Sequence, residues 1–238
     1  MSDQSIKSLI LDLLRQDHAD QQALVQSLTE EQFNDPGTFE VWSIKAHIAH
    51  RTFWCDDLAR MLSAALNGQP VVPQTEDDHV LNAATYQQQD ARSWADIYAE
   101  AQRVTATLQQ LIEQFSEEEV SEPDPRFRPL TGEYPLYIAL LGMCYEHNQE
   151  HLAQYYINHN QFERGVALRE QCVNRILQTD LPDRVKGNFT YNLACFYALQ
   201  NILDEADAHL HKAFTLAPHL QQYSTTDPDL TALRERSI

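Results

Sequence analysis

His147 and His151 stand four residues apart in the stretch Cys144-Tyr-Glu-His-Asn-Gln-Glu-His-Leu-Ala-Gln154, which contains no helix breaker. On a helix, residues four apart lie above one another on one face. Two imidazoles there could grip one metal ion, or they could be ordinary surface polars. The pair does not decide, because a metal site needs a third ligand from elsewhere. A second stretch, Trp42-Ser-Ile-Lys-Ala-His-Ile-Ala-His50, places His47 and His50 three apart and so roughly on one face. A lone helical histidine is more often a satisfied core or surface group than a ligand. Spacing alone leaves both readings open.

Positioning such residues requires helices, and the sequence supplies them. Ile6, Leu9, Ile10, Leu13, Leu14, Leu24, Val25 and Leu28 keep near-helical spacing, and Asn34-Asp-Pro-Gly37 stops the chain. Ser43 suits the N-cap of a second helix running to about Asn67, where Gly68 and Pro70 end it. A third helical region runs from about Thr75 to Phe115, with a break near the box-like Ser93-Trp-Ala-Asp96. Pro123, Pro125 and Pro129 force an irregular connection, and Pro135 suits the first turn of a fourth helix reaching about Asn158. No segment shows sustained strand alternation. Four long helices with apolar stripes predict an all-α fold built on a four-helix bundle, a place where facing helices build metal sites from inward side chains.

With 238 residues the chain can bury a real core as one large domain or two modest ones. No apolar run approaches the roughly 20 residues of a membrane span, and no signal peptide is evident. The four cysteines lack CxxC spacing, so free thiols in a cytoplasmic protein are expected. The net charge of −18 is uneven. Residues 1–158 carry 25 acidic against 9 basic side chains, and residues 159–238 carry 10 against 8. A surface this acidic repels phosphate backbones and argues against nucleic-acid binding. The split places two units, 1–158 and 159–238, side by side in the chain.

Trp42 and Ser43 followed by His50 on the second helix, with His147 and His151 on the fourth, resemble the DinB superfamily of four-helix-bundle proteins. The stretches Asp77-Asp-His-Val-Leu-Asn82 and Tyr145-Glu-His-Asn-Gln-Glu-His-Leu are similar to the ClbS/DfsB-type branch. The resemblance covers roughly residues 5–158. It implies a divalent metal held by His50, His147 and His151, and three neutral imidazoles suit Zn, Ni or Fe on chemical grounds. It also implies either hydrolysis of a reactive natural product or transfer of a thiol, the substrate being a small electrophilic or thiol-bearing molecule. Three imidazoles leave a coordination position open, as in catalytic rather than structural zinc sites. His47 falls where the family is usually apolar. It is expected behind the ligands, as an alternative ligand, or at the bundle edge, the first being slightly favoured. His79 is expected at the surface, Glu146 and Glu150 on a solvated face, and Trp42, Trp54 and Cys144 in the packing of the bundle.

In the tail, Leu193, Ala194, Tyr197, Ala206, Leu210, Ala213 and Pro218 fall where a tetratricopeptide repeat needs them. One repeat, roughly Gly187–Leu220, is too short to stand alone. It is expected to bury an apolar surface of the bundle or of a second copy of the chain, or else to recruit a protein partner. Two functions follow: a metal-dependent enzyme, or a non-catalytic adaptor that works through its tail.

Overall fold

The computed structural model describes residues 4–89 and 91–236, with the side chains of Asp78 and His79 outside the described set. The expectation for His79 therefore lies outside the described residues. The fold is all-α. Among the described residues the β-type pairing is one isolated bridge, between Gly37 and Trp42. No described helix is long and apolar enough to cross a membrane. The chain forms two compact units, Met1–Gly165 and Val166–Ile238.

In the first unit, helix α1 (Ile6–Gln26) starts at Ser5, whose side chain accepts from the Ser8 amide. The Glu117 carboxylate accepts from the Ile6 and Lys7 amides at 2.8 and 3.1 Å, a negative charge at the positive end of the helix dipole. Helix α2 (Ile44–Leu66) is capped by Ser43, which accepts from the Ala46 amide, and ends before Gly68 at φ +66°. The third region breaks at Ser93 into α3 (Asp78–Gln89) and α4 (Trp94–Gln114). There the Ser93 side chain accepts from the Asp96 amide while its hydroxyl donates to the Asp96 carboxylate. Helix α5 (136–158) begins one residue after Pro135.

Helices α1 and α2 each pack against both α4 and α5, which closes a four-helix bundle. Its core is aliphatic: Ile10, Leu13, Ile48, Leu58, Val104 and Leu152 are all almost fully buried. Three features were not legible in the spacing. Short helical turns, Glu117–Ser121 and Arg128–Thr131, flank the prolines expected to force an irregular connection, and Glu30–Asn34 forms a separate turn before the expected stop at Asn34-Asp-Pro-Gly37. Leu140–Glu146, in the middle of α5, winds as a π-helix before α-helix resumes at His147. The loop before α2 is also tight. Gly37 sits at φ +63°, and a Cβ there would lie 2.4 Å from the Ser43 amide nitrogen, so only glycine fits.

The second unit holds most of α6 (Phe162–Leu177), and all of α7 (Asp183–Leu199) and α8 (Leu203–Leu216). Helices α7 and α8 form a closely packed hairpin. Leu193, Ala194, Tyr197, Ala206, Leu210 and Ala213 are buried. At Gly187 the approach is tight: an added Cβ would stand 2.4 Å from Cβ of Ala217, the residue after α8.

Candidate metal centre

Helix α2 presents His47 and His50 toward α5, which presents His147 and His151. Nε2 of His147 lies 3.0 Å from Nε2 of His50 and 3.1 Å from Nε2 of His151. The ligand-capable atoms of these three residues all fall within 4.8 Å of one another. Metal–nitrogen bonds of about 2.0–2.1 Å separate neighbouring ligands by roughly 3.4 Å in a tetrahedron and about 3.0 Å in an octahedron. The observed spacing matches the edges of such a polyhedron. His50, His147 and His151 could therefore hold one metal ion; His50 is buried, and His147 and His151 are of intermediate exposure.

His47 is placed differently. It is 2% exposed, which removes it from the bundle edge. Its Nδ1 lies 3.1 Å from Nδ1 of His151, the nitrogen facing away from the other two rings. His47 thus stands behind a candidate ligand.

All four imidazoles are held in the neutral form that metal binding needs. Burial, then the neighbouring His50, lowers the pKa of His47 to about 3. Burial and His147 lower His50 to about 3. His147 falls to about 4 through burial and the Arg51 charge, opposed by the Met143 carbonyl. His151 is lowered well below its ordinary value by burial and by the other three histidines. Arg51 contributes at each position and is itself buried. Its Nη2 donates to both carboxylate oxygens of Asp17, at 2.9 and 3.1 Å. Asn148 and Gln149 donate to the same carboxylate at 3.0 and 2.9 Å. The residues next to His50 and His147 are in this way tied to one acid on α1. No spacing rule pointed to Asp17, which is one of 35 acidic residues in the chain.

Indole rings wall the cluster. The Trp42 ring lies within 7° of parallel to that of His151 at 5.7 Å, and also meets His47 at 5.5 Å and His50 at 5.1 Å. Expected in the bundle packing, it lies instead over the histidines and keeps partial exposure. Its Nε1 donates to the Phe39 carbonyl, and Thr38 and Val41 close the loop beneath at 2.7 Å. Trp54 meets His50 edge-on at 6.3 Å. Cys144 and Tyr145 are fully buried, and Cys144 is not in the histidine cluster. Glu150 is exposed as expected, whereas Glu146 is buried, with 8% of its surface exposed. The π-helix explains the difference. Bonding to the fifth residue instead of the fourth turns the chain less per residue, so Glu146 leaves the outward register. A cavity of about 570 Å³ lined by Phe33, Lys45, Tyr86, Arg92 and Trp94 contains none of the four histidines. Tyr86 joins its wall to Trp42, 5.9 Å away.

A helical bundle whose facing helices converge three imidazoles on one point defines a class of metal-binding bundle proteins. The sequence model of the DinB superfamily matches residues 13–155, more than half of the chain, and the chain belongs to that superfamily. The match takes in α2 and the histidines of α5. No curated protein and no solved structure gives a significant match.

Proposed function

We propose that the protein is a metal-dependent enzyme acting on a small electrophilic or thiol-bearing molecule, as a hydrolase or a thiol transferase. The observation that carries this reading is the convergence of three imidazoles, with Nε2 of His147 3.0 Å from Nε2 of His50 and 3.1 Å from Nε2 of His151, and all three ligand atoms within 4.8 Å of one another. His50, His147 and His151 would hold Zn, Ni or Fe, since imidazole suits all three. A divalent ion there supplies Lewis acidity, lowering the pKa of a thiol or water brought to it. The chain's own residues do the rest. Burial keeps the rings unprotonated, Trp42 packs against His50 and His151, Trp54 packs against His50, and substrate would enter beside His147 and His151, which are of intermediate exposure. The ClbS/DfsB-like stretches favour the hydrolase, and the cytoplasm is the compartment that suits four free, buried thiols.

The test is metal content by elemental analysis after loading and desalting, followed by cobalt substitution. About one ion per chain is expected, with a visible spectrum that changes on adding azide or a thiol. Protein that keeps background metal after loading at neutral pH, or a cobalt spectrum indifferent to every added ligand, ends this reading.

One observation favours a second role for the tail. Leu193, Ala194, Tyr197, Ala206, Leu210 and Ala213, in tetratricopeptide-like register, are buried in the α7–α8 hairpin, while Pro218 lies beyond it and is exposed. In that reading 159–238 is a repeat-like module that contacts a protein or a second copy of the chain. Full activity in a chain lacking the tail would assign the chemistry to the bundle alone.

A further inference from the structure

We infer, on the reading that His50, His147 and His151 hold a metal ion, that His47 is a positioning residue that makes His151 a ligand. It accepts the Nδ1–H of His151 and so holds that ring in the tautomer that leaves Nε2 bare. A neutral imidazole carries one N–H, on either nitrogen. In His151, Nε2 faces Nε2 of His147 at 3.1 Å, while Nδ1 faces Nδ1 of His47 at 3.1 Å. If Nε2 is to bind a cation, the proton must sit on Nδ1 and needs an acceptor. The atom in place is Nδ1 of His47, which must then be bare, so His47 carries its own proton on Nε2.

The surroundings favour the His151 half of this arrangement, whereas Nε2 of His47, which then carries the proton, is buried with no hydrogen-bond partner among the described residues. His47 is 2% exposed, so bulk water is a poor substitute for it. Its ring is set between Trp42 at 5.5 Å and the edge-on Tyr155 at 6.1 Å. The flat contact of Trp42 with His151 fixes the plane of the ligand ring, and His47 fixes which nitrogen points to the cluster. Carboxylates and carbonyls commonly fill this role behind metal-bound histidines. Here a neutral ring does so, and it adds no negative charge that would weaken the hold on an anionic thiol.

The test uses the full chain as wild type, His47→Leu and His47→Gln. Cobalt affinity is measured by chelator competition, and ring protonation by long-range proton–nitrogen spectra of the zinc-loaded wild type. His47→Leu should still bind one ion, but about 10–100-fold more weakly. His47→Gln, whose amide oxygen can accept the same proton, should recover most of the loss. The spectra should show His151 protonated at Nδ1 and His47 at Nε2. A merely structural His47 would lower the melting temperature of both metal-free variants and leave cobalt affinity unchanged, which overturns the inference. So does a proton on Nδ1 of His47. If His47→Leu fails to fold, the Gln variant and the wild-type spectra decide. Wild type that takes up no cobalt sinks the metal reading itself, whereas wild-type binding with equal binding by His47→Leu sinks only the part assigned to His47.

Discussion

Asp17 is the side chain on which both histidine-bearing helices converge. It accepts from Arg51, next to His50, and from Asn148 and Gln149, which lie between His147 and His151. Burial pushes its carboxyl up, and the charge and hydrogen bonds of those three partners oppose that. The Arg51 and Asp17 side chains are only 3% and 7% exposed, so removing one partner strands a charge. Asp17→Ala should cost about 3–5 kcal/mol in urea denaturation, whereas Asp17→Ala combined with Arg51→Met should recover much of it. A single variant as stable as wild type would show that Arg51 has another counter-charge. At this scale the sequence was unevenly legible. His147 and His151 announced themselves because four residues on one helix fix a direction. The choice of His50 over His47 came from the family pattern. That His47 stands behind His151 is a distance between two helices, which spacing within one helix does not encode. Asp17 had no signal at all, since an acid on a helix of an acidic chain reads as surface.

Helix ends were the most legible elements, because a cap is local chemistry. Ser43 and Ser93 mark α2 and α4 as their side chains predict, and both make the expected bonds. The π-helix in α5 escaped notice because its extra residue per turn is a compromise with packing and leaves no composition signature. Two glycines make opposite predictions. Gly142, on the exposed side of that π-helix, has nothing within 4 Å of an added Cβ. Gly142→Ala should therefore raise stability by about 0.5–1 kcal/mol, by removing backbone freedom from the unfolded chain. Gly187 lies where α7 meets Ala217 and Leu216, and an added methyl must displace packed atoms. Gly187→Ala should lower stability by about 1–3 kcal/mol. Thermal melts of the two variants decide, and a destabilised Gly142→Ala would mean that the π-turn needs glycine for its own geometry.

Over the whole molecule, acid should act in two opposing ways that can be told apart. The net charge of −18 at pH 7 shrinks toward zero at the isoelectric point near 4.8, so self-repulsion relaxes as pH falls and the fold should tighten. The raised carboxyl of Asp17 works in the same direction. The buried histidines work against it. Their folded pKa values, about 3 for His47 and His50 and about 4 for His147, lie below the unfolded value near 6.5. Between those limits the unfolded chain binds more protons. Their contribution is therefore fully present above about pH 6.5, declines as pH falls, and levels off only near the folded values. The slope reaches about 1.4 kcal/mol per pH unit for each such histidine. Metal-free protein should accordingly lose urea stability from pH 6.5 to pH 5 despite its falling charge, and His47→Leu should flatten that loss. Rising stability over the same range would show that the rings are not held neutral by burial. The metal-loaded protein adds a sharper test. Spacing alone predicts that protons displace the ion near pH 6.5, the ordinary imidazole range. In the folded bundle burial holds His147 neutral down to about pH 4 and His50 to about pH 3, and lowers His151 well below its ordinary value. Ion release and loss of helicity should therefore coincide on acid titration, and an ion that leaves an intact bundle at pH 6 would contradict the burial of the site.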